Sequence, residues 1–86
     1  MLERSDYNSL LGRNILRAKA AKRMPGTQLE VKSGISRETI RYVEKGERGC
    51  TVHTLYMIAE GLGVSPAELL PDPLQITRTE QIKRNK

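Results

Sequence analysis

Apolar residues recur along the chain in short blocks with the spacing of amphipathic helices. In the first block, Leu11, Ile15 and Ala18 lie four and three residues apart, which places them on one face of a helix. We predict this first helix over residues 10–23, because the Pro-Gly pair at residues 25–26 stops it.

The second helix is predicted from a capping signal. Thr27 and Glu30 have the spacing of a capping box, in which each side chain binds the backbone amide of the other residue. We expect the helix to run to about Ser33 and to end at Gly34.

A third helix is predicted after three connecting residues. Ser36 caps its start, Ile40 and Val43 form its buried pair, and Gly46 closes it in a left-handed cap conformation. Two short helices joined by a turn that contains glycine are typical of a helix-turn-helix motif, here at about residues 27–45.

The fourth helix has the clearest pattern in the chain. It begins at Thr51, ends at Gly63 and carries a continuous apolar stripe formed by Val52, Leu55, Ile58, Ala59 and Leu62. A fifth, short helix is predicted after Ser65, where Pro66 and Glu68 take the first and third helical positions; it holds Leu69 and Leu70 and stops at Pro71.

The remaining residues are polar and predict a separate tail. Leu74 and Ile76 alternate with polar residues like a strand, whereas residues 79–86 could equally form a frayed helix. The chain of 86 residues therefore divides into an N-terminal arm over residues 1–9, one all-α domain of five helices over residues 10–70, and a C-terminal tail over residues 71–86.

The net charge and the composition favour some classes of function and exclude others. Fifteen Lys and Arg against ten Asp and Glu give a formal net charge of +5, which points to an anionic partner. The single cysteine, Cys50, excludes an internal disulfide, and no apolar run is long enough for a membrane span or a signal peptide. We expect a cytoplasmic protein, associated with the nucleoid if its partner is DNA.

Residues 11–70 resemble the phage repressor and Cro (XRE-type) family of helix-turn-helix domains. The resemblance rests on LGRNILRAK in the first helix, TQLEVKSGIS across the second helix and the turn, RETIRYVEKGER in the third helix and TVHTLYMIAEGLGVSPAELL from there on. It implies a five-helix, lambda-repressor-like DNA-binding domain whose third helix, the recognition helix, enters the major groove of double-stranded DNA. The implied function is transcriptional regulation, as a repressor that binds a two-fold operator as a homodimer.

The chain departs from the family pattern at the start of the second helix. The family has a Gln there that touches a phosphate, and this chain has Gly26. Gln28 could replace that Gln only if the helix starts late, since two helical residues turn by about 200°. Glu30 stands where the family has Ala, and Lys19 stands where a family Arg pairs with the recognition-helix glutamate, here Glu44.

The resemblance assigns base reading to Arg37, Glu38 and Tyr42. Arg37 could bind a guanine with two hydrogen bonds, and Glu38 could accept one from a cytosine amino group. Alternatively, Glu38 only pairs with Arg41. The candidate contacts to the DNA backbone, each of which could instead be a solvated charge or polar group, are Arg13, Arg17, Gln28, Thr39, Arg41, Lys45 and Arg48.

The sequence offers few residues for a metal site or for catalysis. Cys50 and His53 are too few for a zinc site, which needs about four ligands. No candidate nucleophile is matched with a candidate base, so we expect no metal, no cofactor and no enzyme.

Two alternatives to the repressor remain. One is an antitoxin-like module that binds a protein partner through the tail, and the other is a packaging protein without sequence preference. The candidate dimer residues are Met57, Leu70, Leu74 and Ile76.

Overall fold

The computed structural model describes residues 3–72, and within them the chain forms five α-helices and no strand. The helices are α1 (Arg4–Lys22), α2 (Gly26–Ser33), α3 (Arg37–Glu44), α4 (Val52–Leu62) and α5 (Pro66–Leu69). The predicted all-α class with five helices is confirmed. Leu74, Ile76 and most of the predicted tail lie outside the described residues.

Helix α1 begins at Arg4, six residues before the predicted start. A capping box made by Glu3 and Asp6 closes its first turn, with the Glu3 backbone amide donating to Asp6 Oδ2 at 2.9 Å. Residues 4–9, which the sequence reading assigns to an arm, are therefore helical. The apolar period that guided the prediction starts only at Leu11, so the mostly polar residues 4–9 gave no signal for a helix.

Helix α2 begins one residue before the predicted cap. Pro25 occupies the N-cap position without a side-chain cap, and Thr27 is already inside the helix. The predicted capping box of Thr27 and Glu30 is therefore wrong, because a box needs its first residue outside the helix. The predicted ends are right: Gly34, Gly46 and Gly63 follow α2, α3 and α4 with positive φ.

One apolar core joins all five helices. Helix α1 packs against α3 and α5, α2 packs against α4, and α2 also contacts α3. The buried residues are Leu11, Ile15, Leu29, Ile40, Val43, Leu55, Ile58, Ala59, Leu62 and Leu69. Within α3, Ile40 and Val43 are buried in this core, whereas Arg37, Glu38 and Arg41 are exposed.

One predicted core position, Val52, lies at the surface, where its side chain is 67% exposed. Leu70, a candidate dimer residue, is 52% exposed. Val52 is the first residue of α4, whereas the close contacts of α4 with α2 occur farther along, at Met57 and Gly61. Leu70 follows the last residue of α5, and the adjacent Leu69 takes the buried position.

Candidate nucleic-acid interface

Ile40 and Val43 are the buried residues of α3. Their positions determine which side of the helix is exposed to solvent. Successive helical residues are about 100° apart, so Glu38, Arg41 and Lys45 lie on the side opposite this buried pair. All three are exposed. This face therefore combines one carboxylate with two cations.

The start of α3 is fixed by a local hydrogen-bond pair. Ser36 Oγ accepts from the Thr39 backbone amide at 3.2 Å, and the Ser36 hydroxyl donates to Thr39 Oγ1 at 2.8 Å. Since the Thr39 hydroxyl accepts this bond, its own proton stays available for an acceptor such as a phosphate oxygen.

An ion pair joins α1 to the end of α3. Lys19 Nζ lies 2.7 Å from Glu44 Oε2, and the two side chains are 18% and 10% exposed. The pair expected from the resemblance is present, as a single contact to one carboxylate oxygen. The lysine also offsets the negative charge that Glu44 places at the unfavourable C-terminal end of a helix.

The early part of α1 holds the end of α3 and the loop after it. Gly12 packs directly on the backbone carbonyls of Val43 and Glu44, leaving no room for a Cβ. About one turn earlier in α1, Ser9 lies against Gly46 and Asn8 against Gly49. These contacts were not predicted, because residues 8 and 9 were assigned to the arm. Gly12, a glycine inside a predicted helix, was the available signal.

Two candidate DNA-binding side chains stack on each other. The Arg48 guanidinium lies 4.4 Å from the centre of the Tyr42 ring, within the range of a cation–π contact. Tyr42 is half-buried and Arg48 is exposed. The structure thus brings together a candidate base-reading residue and a candidate backbone contact that are six positions apart.

Arg37 lies beside the first turn of α2. A Cβ placed on Gly26 would be 3.4 Å from Arg37 Nε and 3.8 Å from Lys19 Nζ. Within residues 3–72, Arg37, Glu38 and Arg41 make no ion pair, so the alternative pairing of Glu38 with Arg41 is not formed.

Three predicted backbone contacts are turned away from this cluster. Helix α2 does not start late, so Gln28 is rotated by about 200° from Gly26 and does not take the place of the family Gln. Arg17 lines a cleft with Val64, Ser65 and Glu68 beside α5. Arg13 lies about 120° around α1 from Lys19, which faces α3. Arg13 and Arg17 therefore lie on sides of α1 other than the one that faces α3.

Several apolar side chains are exposed on the remaining surface. Among the candidate dimer residues, Leu70 is half-exposed, whereas Met57 is partly buried with its methyl group near Gly34. Tyr56 and Val31 are also exposed, and the sequence reading did not single out Val31.

Cys50 and His53 do not form a candidate metal site. Cys50 packs against the core, and burial raises the pKa of its thiol, while His53 is exposed. Within residues 3–72, no group of three or more potential ligands is suited to a metal ion, and no helix is long and apolar enough to cross a membrane.

Comparison with known proteins adds an independent line of evidence. Residues 15–69 match the Helix-turn-helix family. A relative described as an uncharacterized HTH-type transcriptional regulator, y4dJ of Sinorhizobium fredii, is 38% identical over 65 residues, which cover 76% of this chain and 84% of the relative.

Solved structures share the fold. The restriction-modification controller protein C.AhdI of Aeromonas hydrophila is 25% identical with a TM-score of 0.70, and the match covers 73% of this chain and 96% of that one. The wild-type controller protein C.Esp1396I is 26% identical with a TM-score of 0.68, covering 90% and 95%. A hypothetical transcription factor from Neisseria, NHTF, has a TM-score of 0.72 at 20% identity, covering 92% and 91%.

Proposed function

The chain belongs to the Helix-turn-helix family of DNA-binding transcriptional regulators, which are not enzymes, and from this premise we propose that it is a sequence-specific repressor acting as a homodimer. Repression then needs no chemistry and no cofactor. An occupied operator excludes other proteins from the same DNA. The observation that carries the proposal is the exposed polar and cationic face of α3, held in place from α1.

The charges on α3 favour an anionic partner. Arg37 and Arg41 are four residues apart, as are Arg41 and Lys45, and like charges at this spacing repel on a helix. Phosphate groups on either side of a groove relieve that repulsion. Glu38 lies among these cations, and a carboxylate near phosphates weakens binding unless it reads a base, which favours sequence-specific over general binding.

The proposed role of each residue follows from its position on α3 or in the loop after it. Arg37 and Glu38, at the start of α3, read base edges in the major groove, with guanine and a cytosine amino group as their partners. Tyr42 contributes to base reading one turn later. The proposed backbone contacts are Thr39, Arg41, Lys45 and Arg48. These contacts position the protein on the DNA and add affinity, but they do not read its sequence.

A dimer would place two recognition helices about 34 Å apart, so that they enter successive major grooves on one face of the DNA. Leu70 supports this proposal as an apolar side chain left 52% exposed at the end of α5, and Tyr56 and Met57 on α4 are further candidates. Replacing Leu70 by Asp should shift sedimentation toward the monomer. Replacing Val31, which is 83% exposed on α2, by Asp is the matched control and should leave the dimer unchanged.

Selection of bound sequences from random duplex DNA tests the function. We expect enrichment of an inverted repeat whose half-sites are about 10 base pairs apart. A variant with both Arg41 and Lys45 replaced by Glu should fold normally, because both residues are exposed, and should enrich nothing. Failure of the wild-type protein to enrich any sequence would contradict the proposal.

A further inference from the structure

Gly26 is a glycine that its own backbone does not require. It is the first residue of α2, and its φ is not among the positive values seen at Gly34, Gly46 and Gly63. Glycine is also the weakest helix former apart from proline. The reason for glycine at this position must therefore lie in what surrounds it.

Its surroundings are the side chains of two cationic residues from other helices. A Cβ at Gly26 would lie 3.4 Å from Arg37 Nε, 3.9 Å from Arg37 Cζ and 3.8 Å from Lys19 Nζ. These are ordinary contact distances for a Cβ alone. A longer side chain, however, would have to share the space that the Arg37 guanidinium fills, and Arg37 is the exposed, movable partner.

Lys19 and Arg37 differ in whether an ion pair fixes the side chain. Lys19 is fixed by its ion pair with Glu44, whereas Arg37 makes no ion pair within residues 3–72. Since no ion pair within residues 3–72 holds the Arg37 guanidinium there, a side chain added at position 26 would displace it. A guanidinium moved from there would approach DNA from a different point, and reading a guanine with two hydrogen bonds depends on that geometry.

We propose that Gly26 is a specificity-determining residue. By leaving the first turn of α2 without a side chain, it provides the space from which Arg37 reads its base. The inference rests on the proposed DNA-reading function and names a residue that itself touches no base.

The test compares base preference, position by position in the selected half-site, among five proteins. These are the wild type, Gly26→Ala, Gly26→Met, Thr27→Met and Arg37→Ala. We expect Gly26→Ala and the wild type to share one profile, since the Cβ fits. Gly26→Met should lose discrimination by about tenfold at the same base pair that Arg37→Ala affects, and at no other. Thr27→Met adds the same side chain at the exposed neighbouring position and should keep the wild-type profile.

Three results would overturn the inference. Gly26→Met with the wild-type preference at the Arg37-dependent base pair would overturn it while leaving the proposed function intact. A change at that base pair in Gly26→Met that Arg37→Ala does not reproduce would show that the effect does not pass through Arg37. Absence of any base preference in the wild type would overturn the proposed function together with the inference. Gly26→Leu serves as a second long side chain if thermal unfolding shows that Gly26→Met does not fold.

Discussion

Lys19 Nζ on α1 and Glu44 Oε2 on α3 lie 2.7 Å apart, and both side chains are largely withdrawn from water. This contact connects the first helix to the last turn of the recognition helix. Its partners are 25 positions apart in the chain, so the pair stabilises the tertiary arrangement and not either helix alone.

Replacing Lys19 by Met should lower the free energy of unfolding by about 2 to 4 kcal/mol, because Glu44 would remain mostly buried without a partner. Thermal or urea unfolding measures the change. Lys32→Met, at an exposed position on α2, is the control and should change stability by less than about 0.5 kcal/mol. Unchanged unfolding of Lys19→Met would mean that water already screens the pair.

Gly12→Ala should destabilise the domain although alanine is the better helix former. The new Cβ has no room against the Val43 and Glu44 carbonyls, so α1 and α3 must separate, at an expected cost of about 1 to 3 kcal/mol. Unfolding by urea, monitored by circular dichroism, gives the value. Gly26→Ala, where a Cβ fits, should instead keep or raise stability. An equal or higher unfolding midpoint for Gly12→Ala would contradict the close contact.

The Tyr42–Arg48 stack predicts coupled effects on DNA affinity. Tyr42→Leu removes the ring that positions the Arg48 guanidinium, so it should weaken binding to duplex DNA of random sequence, where base reading by Tyr42 does not contribute, by about three- to tenfold. Arg48→Ala should do the same, and the double variant should be little worse than either single one. Fluorescence anisotropy provides the affinities. Tyr42→Phe keeps the ring and should retain the contribution of Arg48 to affinity, whereas additive losses in the double variant would show that the two side chains act separately.

The salt dependence of binding tests the assignment of backbone contacts. With about six phosphate contacts in a dimer, the log–log slope of affinity against salt should be near −5. Arg41→Gln should flatten the slope by about one unit for each half-site. Arg17→Gln, on the cleft beside α5, should leave it unchanged. A slope flatter than about −2 for the wild type would rule out the electrostatic interpretation.

The helices differ in how closely the sequence predicts their bounds, and the differences have physical causes. Helices α3 and α4 were predicted well because Ser36 and Thr51 cap them as expected and their apolar residues repeat with the helical period. The start of α1 was missed because Glu3 and Asp6 build it from polar side chains before any apolar repeat begins. At α2, a capping-box spacing was present in the sequence, but the helix began before it.

The helical class, most of the buried positions and the excess of positive charge can be read from the amino-acid sequence alone. These properties depend on residues within about four positions of one another and on composition, so no long-range information is needed to read them. Four contacts follow from the folded arrangement and not from local sequence: Gly12 packs on the end of α3, Arg48 stacks on Tyr42, Arg17 lines the cleft beside α5, and Arg37 lies beside Gly26. Each of these relationships joins separate helices or a helix and a loop, and the close packing of the core, not the local pattern, sets the distance between them.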